Sequence, residues 1–183
     1  MRRQELPQYL SKGAPSMSRS KALAAGAAVF AGAMAATVAL SGTATAGGPS
    51  TAKYDCLTSI GISYTGKSAT FTTNASHQIS ATIALAPLIT INNGDLTITA
   101  NLGGPSGTVT FSGTAGTSGP FGPVNLGPLN KTAGTISAGQ AMTVIQSASP
   151  PSATNWSVKL HHNPNNVDIW CVGKSAFSPA LTY

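Results

Sequence analysis

Chemistry has few places to start in this 183-residue chain. Beyond residue 46 it holds His77, His161 and His162, the carboxylates Asp55, Asp95 and Asp168, five lysines and the cysteines Cys56 and Cys171, with no Arg and no Glu. The densest gathering is Lys159, His161, Asp168 and Trp170 near the C-terminal end. An indole among ionisable groups offers three kinds of chemistry: proton transfer through His161 and Asp168, a metal ligand set, or a stacking platform for a sugar ring.

Each kind has requirements that the chain can be held to. Nucleophilic catalysis needs a Ser or Cys beside a base that a third group orients. Serines abound, but no G-x-S-x-G elbow occurs, and Gly104-Pro-Ser-Gly107 is one residue off and lies in a turn. Glycoside hydrolysis needs a pair of carboxylates. Asp95 follows an Asn-Gly turn and Asp55 adjoins Cys56, so both have structural explanations. Neighbouring residues of a strand point to opposite faces, so His161 can meet Asp168 while His162 cannot, and two ligands do not hold a metal. No catalytic residue, metal or cofactor is expected. Trp170, Lys159, His161 and Asp168 remain as a possible ligand-binding group, with a local cation-π pair between Lys159 and Trp170 as the structural alternative.

The elements that position this group read as strands. In Asp95 to Leu102 the residues Leu96, Ile98, Ala100 and Leu102 share one face, opposite Thr97, Thr99 and Asn101. The same period of two recurs in Ser80 to Ala86 and in Gly107 to Ser112. Turn signals at Asn92-Asn-Gly94, Gly103-Gly-Pro105 and the Gly/Pro/Ser stretch 113–123 separate the runs. Asn163-Pro-Asn-Asn166 makes a turn between strands 155–162 and 167–173. Pairing around it sets Leu160 against Ile169 and Val158 against Cys171, with Trp156 on the same buried face. Lys159 then lies beside Trp170, and His161 beside Asp168, on the other face. Short strands at this spacing predict an all-β fold, an antiparallel β-sandwich of about seven to nine strands.

Composition places the chain outside the cytoplasm. Residues 22–40 form an uncharged, Ala-rich apolar run after Arg19 and Lys21, and Ala44-Thr45-Ala46 supplies a small-residue cleavage site. We expect residues 1–46 to be a signal peptide cut between Ala46 and Gly47, with Met17 as the true start. An uncleaved membrane anchor is the alternative, disfavoured because ten of the 19 residues are Ala. No cysteine directly follows the cleavage motif, so no lipid anchor is expected, and none in the membrane after cleavage. The N-x-[ST] tripeptides at Asn74, Asn130 and Asn155 carry no argument in so Asn/Ser/Thr-rich a chain.

Most of the formal charge of +6 belongs to the leader. Residues 47–183 keep Lys53, Lys67, Lys131, Lys159 and Lys174 against three Asp, net +2, each lysine standing alone. Phosphate neutralisation needs clustered cations, so nucleic acid is excluded as a partner. These residues suit one domain, 53–183, preceded by a flexible segment 47–52. Two cysteines in an exported chain predict one disulfide, Cys56 to Cys171. Closing so long a loop stabilises by up to about 4.7 kcal/mol in the chain-entropy account.

The opening Tyr54-Asp-Cys56, the Thr-rich alternating strands, Cys171 in the penultimate strand and the tail Phe177 to Tyr183 together resemble a family of small exported actinomycete domains of unknown function. The resemblance implies an immunoglobulin-like sandwich with its early and late cysteines joined. It implies no activity. The expectation is a secreted, non-catalytic protein, free or loosely held at the cell surface, acting by contact with the envelope or another extracellular protein. The alternative is a carbohydrate-binding module with Trp170 as stacking platform on a cell-wall glycan. A small hydrolase built on the three histidines is a third possibility.

Overall fold

The computed structural model describes residues 47–183. The expected signal peptide, the start at Met17 and the Ala46 side of the cleavage site fall outside the described residues. The elements are β1 (Ser50–Thr58), β2 (Ser63–Thr73), β3 (Ile79–Ile83), β4 (Leu96–Gly104), β5 (Gly107–Thr114), β6 (Val124–Ala133), β7 (Ala141–Val144), β8 (Val158–His162), β9 (Val167–Gly173) and β10 (Leu181–Thr182). A single 3-10 turn, Asn163–Asn165, joins β8 to β9. The chain is thus all-β in the described part, as the alternating patterns require. β1 begins at Ser50 and pairs with Phe71 there, so residues 50–52 belong to the sheet rather than to a flexible lead-in.

The strands form one continuous sheet that closes on itself. Going round, the order is β4, β5, β6, β3, β2, β1, β9, β8, and β8 pairs with β4 to complete the ring. Every pairing in the ring is antiparallel. The expected immunoglobulin-like sandwich is therefore corrected to an eight-stranded barrel. A period of two states only that one face of each strand is inward, and this is equally true of both architectures. The decisive feature is strand β8, which pairs with β9 along one edge and with Leu96–Ala100 of β4 along the other, leaving no open edge there. Past that point β4 pairs at Leu102 and Gly103 with β7, on which β10 lies, so these two short strands sit outside the ring.

The interior is filled by the predicted alternation. Leu96, Ile98, Ala100 and Leu102 of β4, Ala81 and Ile83 of β3, and Val109 and Phe111 of β5 are buried. Burying each larger aliphatic side chain contributes about 1.5–3 kcal/mol. Cys56 and Cys171 lie directly opposite each other across β1 and β9 and form the expected disulfide in this core. The last hairpin has the expected register: Val158 opposite Cys171, Lys159 opposite Trp170, Leu160 opposite Ile169, and His161 opposite Asp168. Its first strand is shorter than expected. β8 starts at Val158, so Trp156 precedes the strand and is only half-buried. Asn166 takes the left-handed conformation, φ 51°, that ends the connecting turn, a conformation Asn tolerates.

Alternating strand direction sorts the connections between the two ends of the barrel. The β1–β2, β3–β4, β5–β6 and β8–β9 connections all emerge at one end, and β2–β3 and β4–β5 at the other. Four segments distant in sequence therefore meet at the first end.

Candidate functional site

Two places in the barrel gather side chains worth weighing. The first is the group read from the sequence, on the outer wall of β8 and β9. His161 Nδ1 donates to Asp168 Oδ1 at 2.8 Å, and Lys159 Nζ stands 3.2 Å from Asp168 Oδ2. Partial burial raises the Asp168 carboxyl, but hydrogen bonds and positive charge from His161 and Lys159 outweigh it and hold the carboxyl below its ordinary range. Lys159 is thereby committed to Asp168 rather than to the indole of Trp170. Among the described residues, the lysines over aromatic rings are Lys67 over Tyr64 and Lys131 over Tyr183. Trp170 itself is half-buried between Lys159 on β8 and Leu57 on β1.

A hydrogen-bonded His–Asp pair is part of what nucleophilic catalysis uses, but no hydroxyl of the described residues bonds to His161 and both cysteines are in the disulfide. No three His, Cys, Asp or Glu side chains among the described residues gather as a metal would need. The three histidines occupy separate surroundings. His161 is on the outer wall, His162 points inward and is 7% exposed, and His77 lies in the β2–β3 connection with its ring 5.1 Å from that of Tyr183. They do not assemble into one site.

The second place was not singled out by sequence. It is the end of the barrel where four connections converge, and it is apolar. The exposed large hydrophobic side chains among the described residues are Ile60 and Ile62 in the β1–β2 connection, Leu88 and Ile89 in β3–β4, and Phe121 in β5–β6, all at this end. The four connections contain one charged residue, Asp95, and its carboxylate is turned into its own loop, accepting from Asn92 N and Nδ2 at 2.8 and 3.0 Å. A cavity of about 240 Å³ opens between the connections. Leu96, Ile169 and His162 line it from the inner faces of the strands, with Tyr64 and Ile91 on its sides and Ile60 and Leu88 at the lip.

Backbone hydrogen bonds sew this end together. Ser59 N donates to Asp168 O at 2.8 Å, Asn163 N to Asp95 O at 2.8 Å, Ile91 N to Ser118 O at 2.9 Å, and Phe121 N to Pro87 O at 2.6 Å. The side chain of Asn163 adds a bond from Nδ2 to Gly94 O at 3.2 Å. Each bond ties one connection to another segment of this end, so the lip is held in place and the exposed apolar groups are presented on a pre-formed frame. Phe121 does so at φ 60°, a backbone region that bulky side chains rarely adopt.

Sequence did carry one signal for this site. His162 follows Val158 and Leu160 on the inward face of β8, and a polar ring at an inward position near a strand end asks for a partner. Its neighbour His161, on the outward face, carries the stronger local signal because Asp168 lies opposite it. Comparison with family models, with curated proteins and with solved structures finds no match to this chain.

Proposed function

We propose that this is an exported, non-catalytic β-barrel protein that acts by contact with another extracellular protein, and that the contact is made by its apolar end. The observation that carries this reading is the confinement of every exposed large hydrophobic side chain of the described residues to one end of the barrel. Scattered single apolar residues need no explanation, but a pre-formed group of them marks an interaction surface. Near-absence of charge there favours the apolar patch of a protein over anionic envelope polymers. The strained backbone at Phe121 is consistent with a ring kept outward for a purpose. Export is supported by the Cys56–Cys171 disulfide, which persists in oxidising compartments. No helix of the described residues is long and apolar enough to cross a membrane.

The test immobilises the purified protein and a Leu88→Ser, Phe121→Ser double variant, and exposes both to the producer's extracellular and envelope fractions. One discrete partner held by the parent and lost by the variant supports the reading. A partner held equally by both moves the contact elsewhere.

A second reading, glycan binding at Trp170, is supported by the placement of a half-exposed indole opposite Lys159, next to the His161–Asp168 pair, on the outer wall. It predicts pelleting with insoluble cell-wall polysaccharide that Trp170→Ala abolishes with the fold intact. Protein remaining in the supernatant removes it.

A further inference from the structure

We propose that the cavity in the apolar end is a binding site for one small, uncharged amphiphile: an aromatic ring or short alkyl chain carrying a single hydroxyl or carbonyl group that hydrogen-bonds to His162. The proposal rests on the apolar end being the working end of the molecule, as argued above.

Three observations point to a ligand of this kind. The first is capacity. An eight-stranded barrel is at the size where its interior is either filled by side chains or holds one small ligand, and barrel mouths are common ligand sites. This one does both. Its middle is packed by Tyr54, Phe71, Phe111 and aliphatic residues, while the loop end keeps a cavity of about 240 Å³. An engineered cavity of about 150 Å³ lined by similar residues takes up benzene, so a ring bearing substituents fits here.

The second is lining. Leu96, Ile91, Ile169 and Val167 offer no hydrogen bond from their side chains, and no Lys, Asp or other permanently charged side chain lines the cavity. An ionic ligand would lose its hydration for nothing in return. An uncharged apolar body loses nothing and gains burial.

The third is His162. Its side chain is more than nine-tenths buried and lines the cavity, yet its ring makes no hydrogen bond to another described residue. Its backbone precedes the 3-10 turn without a capping bond from the side chain. Directly opposite it on β4 is Leu96, and on β9 Val167, neither of which can partner an imidazole. The buried side-chain polar atoms left without a partner among the described residues are Tyr54 Oη and His77 Nε2, so the His162 ring nitrogens remain open to the cavity, where a ligand head group can hydrogen-bond to them in place of water. Asn165 at the lip adds an amide within the same lining.

The experiment titrates the purified, oxidised protein with naphthol and, separately, with naphthalene, which has the same body without the hydroxyl, following heat or ligand fluorescence. We expect saturable binding of one naphthol per chain and an affinity for naphthalene lower by about tenfold, the effect of one buried hydrogen bond. His162→Leu should bring naphthol down to the affinity of naphthalene while leaving naphthalene binding intact, with circular dichroism showing that the barrel persists. If the leucine variant does not fold, His162→Gln, which keeps a hydrogen-bonding side chain, should fold and retain the preference for naphthol. Absence of saturable binding to the parent overturns the proposal. So does equal binding of the two probes, or a preference that survives in His162→Leu. Phe121 lies outside the cavity lining, so Phe121→Ser should leave naphthol binding unchanged even where it lowers capture of a protein partner. Failure of the contact reading and failure of the cavity proposal are thereby told apart.

Discussion

The outer wall of β8 and β9 and the loop end of the barrel differ in how their side chains are satisfied. On the wall, Lys159, His161 and Asp168 pair with one another, and each charge has its partner within 3.2 Å. At the loop end, Ile60, Ile62, Leu88, Ile89 and Phe121 face outward with no apolar cover, and His162 beneath them has no hydrogen bond to a described residue. The wall is a finished structure. The loop end is a surface with apolar contacts left unmade, on connections that backbone hydrogen bonds tie together. The proposed function follows the exposed apolar groups of the loop end rather than the density of ionisable groups on the wall.

Both regions hang on the same seam, so the largest expected effect is common to them. Replacing Cys56 and Cys171 together by Ala should lower the free energy of unfolding in urea by about 2–5 kcal/mol. Next in size is Leu96→Ala at the floor of the cavity. Leu96 is 1% exposed, and its truncation should cost about 2–5 kcal/mol while enlarging the site. A cost near zero there would mean that the loop end is not packed as described.

The wall should respond far less. Its side chains are a quarter to a third exposed, and Asp168→Asn should cost no more than about 1 kcal/mol. That small effect has a pH signature. The folded Asp168 carboxyl is held below its ordinary value, so its contribution is complete above about pH 4, the ordinary range of a free aspartate, and fades as the pH falls through the folded value. Urea denaturation should show parent and variant converging below about pH 4. A gap that widens on acidification would contradict the pairing. Smallest of all, Leu88→Ser at the lip, where the side chain is 73% exposed, should change stability by less than about 0.5 kcal/mol.

The same contrast explains what could be read from the residues alone. The wall was legible because one turn, Asn163–Asn166, and a period of two place Lys159 opposite Trp170 and His161 opposite Asp168 without knowledge of the rest of the fold. The buried faces of β3, β4 and β5 and the Cys56–Cys171 bond were legible for the same local reason. Barrel closure was not, because it depends on β8 pairing with β4, some 60 residues earlier, and alternation along either strand is silent about that. The loop end is a consequence of closure. Ile60, Leu88 and Phe121 lie in three connections whose convergence follows from strand direction around the ring, and singly each reads as an ordinary loop residue. His162 was the one local sign, and its meaning required knowing that the inward face of β8 opens onto a cavity.

The most direct test of the central claim, that the loop end and not the wall is the functional surface, is an NMR titration of the oxidised protein with octanol. It would follow the methyl groups of Ile60, Ile62, Leu88 and Ile89 together with the indole N–H of Trp170. The account predicts saturable shifts of the methyl signals and of the His162 ring, with the Trp170 signal unmoved. Shifts at Trp170 with silent methyl groups would contradict it and return the functional site to the wall.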